Sequence, residues 1–124
     1  MNKEKYIPGD LVYIHGSLRI ISNCDGYYVT YYDENESLQE VNVNVIEGIP
    51  LTPEILEKNG WKRDGKWYYL PTQRAYLYIT QDTGQPDEFL ICAGDGKYNL
   101  TSVSFVHQLQ HLLFGLGINH EMEV

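Results

Sequence analysis

Two histidines near the end of the chain, His107 and His111, stand four residues apart. On a helix that spacing places both imidazoles on one face, close enough to share a metal ion. A zinc hydrolase of the HExxH kind needs a glutamate directly after the first histidine as general base, and Gln108 occupies that position. No third ligand can be placed beside the pair. Two polar-face histidines on an amphipathic helix is therefore the favoured reading, and a metal-dependent enzyme using His107 and His111 is the least favoured alternative. His15 and His120 have no serine, cysteine or aspartate placed to complete a nucleophilic triad. Cys24 and Cys92 lie far apart without a CxxC partner, and each follows an apolar stretch, so both are read as structural thiols. The acids Asp33, Glu34, Glu36, Asp87 and Glu88 fall in expected loops, where solvated charge is the default. No glycine-rich phosphate loop is present. We accordingly assign no catalytic residue, no metal ligand and no cofactor, and read the chain as a non-enzyme.

The tyrosines carry more information. There are 11 in 124 residues, and six of them form the pairs Tyr27-Tyr28, Tyr31-Tyr32 and Tyr68-Tyr69. Neighbours in a strand point to opposite faces. One member of each pair can enter a core while the other meets solvent or a partner. Tyrosine favours interfaces because a large amphipathic ring costs little entropy to order. The competing explanation is that a small β domain has too little core to hide every ring. Tyr28, Tyr31, Tyr69 and Tyr76 are the expected interaction residues.

Seventeen acids against nine bases give a net charge of −8. Residues 1–60 hold Lys3, Lys5, Arg19 and Lys58 against ten acids, so most of the excess lies there. Affinity for nucleic acid comes mainly from clustered Lys and Arg on phosphates, and the charge disfavours that partner. If any surface touches a polyanion, Lys62, Arg63, Lys66 and Arg74 have to supply it. No run of apolar residues reaches membrane-spanning length, and the first residues lack an apolar signal-peptide core. A soluble protein in a reducing cytoplasm is expected, with no membrane partner.

The elements that must hold these residues follow from period and turn chemistry. Leu11–His15, Leu18–Ser22, Tyr27–Tyr32 and Leu38–Val45 read as strands, with turns at Gly16-Ser17 and Asp25-Gly26. Four short strands with tight turns suggest a small SH3-like antiparallel β-barrel over about 9–48. Thr52 as N-cap, Pro53 at N1 and Asn59-Gly60 at the far end bound a short helix over 52–60. A second antiparallel sheet follows, opened by an Asp64-Gly65 hairpin and including Ala75–Thr80 and Glu88–Cys92. The chain closes with an amphipathic helix over about 103–116. The fold class is therefore α+β. Residues 1–51 form the barrel and 52–124 the helix, sheet and terminal helix, packed as one unit. The expected core is Leu11, Val12, Ile20, Val29, Ile55, Leu56, Trp61, Leu77, Ile79, Leu90, Val106, Leu109 and Leu113.

Two stretches carry a resemblance. Ile49-Pro50-Leu51-Thr52-Pro53-Glu54-Ile55-Leu56-Glu57-Lys58-Asn59-Gly60-Trp61 resembles an "IPLT-E-L-K-GF/W" segment, and Val106-His107-Gln108-Leu109-Gln110-His111-Leu112-Leu113-Phe114 resembles a "VHQLQNLYFALTG" ending. Both occur, in that order, in a family of small uncharacterised proteins of phages, prophages and mobile elements of anaerobic gut bacteria. The departures are His111 where asparagine is usual and Gly117-Ile118-Asn119 where the family has Thr-Gly. The resemblance implies an accessory protein acting inside a bacterial host, with a host or phage protein as partner, and it carries no catalytic residue across. The leading expectation is a non-enzymatic protein-interaction module. The alternative is a small barrel whose aromatics stack single-stranded nucleic acid.

Overall fold

The computed structural model describes residues 6–71, 76–81, 84–85, 87–94 and 98–124. Lys3, Lys5, Arg74 and Ala75 lie outside the described residues. The chain divides into two compact units. One comprises Met1–Ile49 with Val106–Met122, the other Pro50–Phe105 with Glu123–Val124. The terminal helix, expected over the second sheet, thus belongs to the first unit.

The first unit is a meander of β1 (Leu11–Ile14), β2 (Ser17–Cys24), β3 (Tyr28–Tyr32) and β4 (Leu38–Asn42). A 3₁₀ turn over Val43–Val45 then leads into β5 (Ile46–Glu47), which pairs antiparallel with β1. The order across the sheet is β4-β3-β2-β1-β5. β4 and β5 are its two edges, so the sheet is open and the expected closed barrel is not formed. The β4 run ends early because the Asn42 side chain accepts a hydrogen bond from the Asn44 N–H, which caps the 3₁₀ turn.

Turn placement follows the left-handed positions. Ile14 faces Ser17, and the two residues between them, His15 and Gly16, both have positive φ. That is the signature of a type I′ hairpin, whose twist matches its strands. The turn therefore sits one residue earlier than the expected Gly16-Ser17. At Asp25-Gly26 the loop is longer than the expected two-residue hairpin. Its carboxylate accepts the N–H groups of Tyr27 and Tyr28 at 2.9 and 2.8 Å, an Asx arrangement that holds the loop without a type I′ turn.

Alternation along β1, β2 and β3 sends Val12, Ile14, Ile21, Val29 and Tyr31 into one cluster, with Tyr6 added from the entering segment. Parity explains two departures from expectation. Ile20 and Ile21 cannot both face inward, and it is Ile21 that is buried while Ile20 is 61% exposed. In β3 the buried Val29 places Tyr31 inward and leaves Tyr28, Thr30 and Tyr32 on the outer face.

The second unit opens with α1 (Pro53–Lys58), where Thr52 accepts from the Ile55 N–H and Gly60 adopts positive φ beyond the end. Those are the predicted cap and stop. The strands β6 (Lys62–Asp64), β7 (Trp67–Pro71), β8 (Tyr76–Gln81), β9 (Phe89–Ala93) and β10 (Tyr98–Val103) follow in antiparallel order β10-β9-β8-β7-β6. Leu56, Trp61, Tyr68, Leu77, Ile79, Phe89, Ile91 and Val103 are buried. Ile55 and Leu90, expected in the core, are half-buried. The final helix, α2 (Val106–Gly115), starts later than expected because β10 runs on through Val103.

Replacing an aromatic side chain in a packed core costs about 3 kcal/mol or more, whereas exposed positions change stability by about 0.5 kcal/mol. Tyr31→Ala should therefore lower the urea midpoint sharply while Tyr32→Ala, one residue on, barely moves it. Equal midpoints for the two variants would show that β3 does not have this register.

Candidate interaction surface

The outer face of the first sheet is apolar where a solvated strand would normally be polar. Leu18 and Ile20 from β2, Tyr28 and Tyr32 from β3 and Leu38 from β4 are all exposed, with Ile20, Tyr32 and Leu38 each more than half exposed. Register brings all but Tyr28 together. Tyr32 pairs with Leu38 across β3 and β4, and Tyr32 lies one step beyond the Ile21–Tyr31 pair, beside Ile20. Leu18, Ile20, Ser22 and Tyr32 line a groove of about 490 Å³. A β-bulge between the Ile21 and Asn23 pairings increases the local twist of β2 there.

One side of this strip is anionic. Asp33, Glu34 and Glu36 form the β3–β4 turn and Glu40 lies on β4. The cation beside them, Arg19, is paired with Glu34. Its guanidinium also lies 5.5 Å from the centroid of Tyr31. The Glu34 carboxyl is held below the usual carboxylate range, first by the Arg19 hydrogen bond. Asp33 is lowered as well, mainly by the Ser37 N–H and then by the Asn35 N–H and the Gln39 amide. A lowered carboxyl contributes stability that is complete above its unfolded value and is lost as pH falls through the folded value. The turn should thus stay intact down to the ordinary carboxylate range, about pH 4, and loosen only below it. An NMR titration of the Ser37 amide shift would report this, and loosening above that range would contradict it.

The expected interaction residues do not form one site. Tyr28 is on the same face but set apart from the strip by Thr30, opposite Asn42, and Tyr31 is only 8% exposed and belongs to the core; the outward member of that pair is Tyr32. Tyr69 and Tyr76 are on the second sheet, where both rings tilt against Tyr78 at 6.5 and 6.4 Å. Leu18, Ile20 and Leu38 are outside the expected interaction set. The available signal was strand parity, since any register that buries Ile21 and Val29 exposes Ile20, Tyr28 and Tyr32.

The histidines of α2 have a different role from the metal pair considered from spacing. His107 is 1% exposed, and its ring packs 5.1 Å from Tyr6 and 5.7 Å from His111. It is therefore not a polar-face residue. His111 Nε2 lies 2.6 Å from Asp10 Oδ2, and the same oxygen accepts the Ile7 N–H at 2.9 Å. Gln110, fully buried, accepts the Leu11 N–H and donates to the carbonyls of Gly9 and His120, each at 2.9 Å. Gln110 and His111 thus bind the entry to β1 through backbone groups and Asp10, while His107 adds its ring contact with Tyr6. Among the described residues no group of three or more His, Cys, Asp or Glu side chains is placed to hold a metal ion.

Asp10 is fully buried, and its other oxygen has no hydrogen-bond partner among the described residues. Removing the imidazole leaves a buried carboxyl with less compensation, at a cost of about 2–3 kcal/mol. His111→Ala should lose about that much stability, while Gln108→Ala loses much less. Equal losses in thermal unfolding would remove the Asp10–His111 pair from this role.

No family profile, no curated protein and no solved structure matches the chain. Among the described residues no helix is long and apolar enough to cross a membrane.

Proposed function

We propose that this chain is a non-enzymatic protein-interaction module, and that its binding surface is the Leu18, Ile20, Tyr32 and Leu38 strip, with Tyr28 farther along the same face. The observation that carries the reading is contiguity. Scattered exposed apolar residues are ordinary, whereas apolar residues adjacent in register across three strands are the mark of a surface made to be covered. The anionic turn beside the strip selects the partner's chemistry, namely an apolar segment flanked by lysine or arginine. Tyrosine and isoleucine supply the buried centre that dominates binding energy, and the charges mainly speed and orient the encounter.

The first unit is of the SH3-like class. Support for this comes from its four-strand meander, its 3₁₀ turn and the short last strand that returns to β1. The mobile-element resemblance of the 49–61 and 106–114 segments supports reading the module as one that acts in the cytoplasm of a bacterial host and occupies a host or phage protein. Small acidic proteins in that setting also act by presenting a DNA-like surface. The apolar strip favours a peptide-like partner over that mimicry, because DNA mimicry needs charge and not exposed isoleucine.

The test is affinity capture from the host with wild type, Ile20→Glu, Tyr32→Ala and the Arg19→Ala control, followed by titration of the recovered partner. Ile20→Glu should abolish binding and Tyr32→Ala should weaken it about 10-fold or more, with melting temperatures preserved. A partner bound equally by wild type and Ile20→Glu would overturn the proposal.

A further inference from the structure

The second sheet carries a separate aromatic surface that the strip on the first sheet does not use. Trp67 and Tyr69 alternate on β7, and Tyr76 and Tyr78 alternate on β8. Register sets them side by side, with Tyr69 directly opposite Tyr78. Tyr78 is the hub, meeting Trp67 edge-on at 6.2 Å and Tyr69 and Tyr76 at 6.5 and 6.4 Å. The opposite face of the same strands, with Tyr68, Leu77 and Ile79, is the buried one. Rings on the other side are therefore not required to fill that core. Tyr76 is exposed, Trp67, Tyr69 and Tyr78 are half-exposed, and Tyr69, Tyr76 and Tyr78 share a shallow depression of about 340 Å³ with Arg63 and Asp64.

Charge changes sign here. Lys62 lies opposite Tyr69 in the β6–β7 register, so its side chain leaves the sheet on the tyrosine face. Lys66 holds its ammonium 5.7 Å from the Trp67 centroid. In the same register Arg63 faces Tyr68 and Asp64 faces Trp67, so two lysines stand against one acid on the ring face, in a protein that is otherwise strongly acidic. An uncharged sugar or an apolar peptide gains nothing from that local reversal. A chain of planar rings joined by anions gains from both features.

We propose that this face is a weak binding site for single-stranded nucleic acid, with bases stacked on Tyr69, Tyr76 and Trp67 and phosphates held by Lys62 and Lys66. Every base has a π-face, so the site is tolerant of sequence. The two lysines limit its electrostatic reach, and the rest of the protein repels the strand. Binding is therefore confined to low salt and is carried mainly by stacking. The stacking surface lies on the second sheet and not on the meander of the first unit.

The experiment is fluorescence titration of the full-length protein with oligothymidine at low salt, alongside anisotropy of a labelled strand. Trp61 is buried, so quenching reports on Trp67. Quenching should saturate, and log affinity against log salt should have a slope of about −1.4, for two phosphates on a single strand. Tyr69→Ala with Tyr76→Ala should cost about 30-fold or more, and Lys62→Glu with Lys66→Glu should abolish binding. Ile20→Glu should leave it unchanged, which separates this site from the strip on the first sheet. The proposal is overturned by an absence of quenching and anisotropy change, by affinity that survives the double tyrosine variant, or by equal competition from a polyanion without bases. Quenching by neutral oligosaccharides at least as strong as by oligothymidine would overturn it as well, since it would assign the face to a sugar.

Discussion

A single buried glutamine organises the first unit. The entry to β1 brings Gly9, Asp10 and Leu11 under α2, and each backbone group there must find a partner or cost about 1–3 kcal/mol. Gln110 satisfies the Leu11 N–H and the Gly9 carbonyl with one side chain and reaches the His120 carbonyl with the same amide. An amide can do this because it offers donor and acceptor at one end of a short stem. Leucine at that position would suit the helix's apolar face but would orphan the backbone atoms around it. Asp10 with His111, and Tyr6 with His107, extend the same contact to either side. The helix thus joins the first unit through polar groups set among Val106, Leu109 and Leu113, all buried.

That arrangement leaves the outer sheet face exposed farther from β1. Leu11, opposite Ile20 in the β1–β2 register, is buried, while Ile20 itself is open to solvent. Burial on this face therefore ends between β1 and β2. Beyond that limit the chain presents leucine, isoleucine and tyrosine beside an acidic turn. Local hydrogen bonds hold that turn in place. Asp33 accepts from Asn35, Ser37 and Gln39, and Glu36 adopts positive φ. A rigid anionic corner next to an apolar groove combines affinity and orientation in a small surface.

Much of this was legible in the residues. Thr52-Pro53 and Asn59-Gly60 bounded α1 correctly because caps act within a few residues. Asp64-Gly65 marked its hairpin for the same reason, one residue early, since Asp64 pairs with Trp67 and the turn is Gly65-Lys66. Strand existence was readable from β-branched and aromatic runs, but facing was not, since Ile20-Ile21 and the tyrosine pairs are apolar at both parities. Only pairing decides which member is buried, so Ile20 and Tyr31 were placed on the wrong sides. The polar row of α2 was illegible for a different reason. His107 and Gln110 break the apolar stripe, and their partners Tyr6, Gly9 and Leu11 lie about a hundred residues away in sequence, beyond any local pattern. The helix was for that reason assigned to the second sheet.

The central claim is that the strip on the first sheet is covered by a protein partner. A photo-crosslinking amino acid introduced at Tyr32, and separately at Tyr98 on exposed β10 as a comparison, tests it directly in the host cell. The account predicts one discrete adduct from position 32 that disappears with Ile20→Glu, and none from position 98. Adducts from position 98 alone, or a position 32 adduct indifferent to Ile20→Glu, would contradict it.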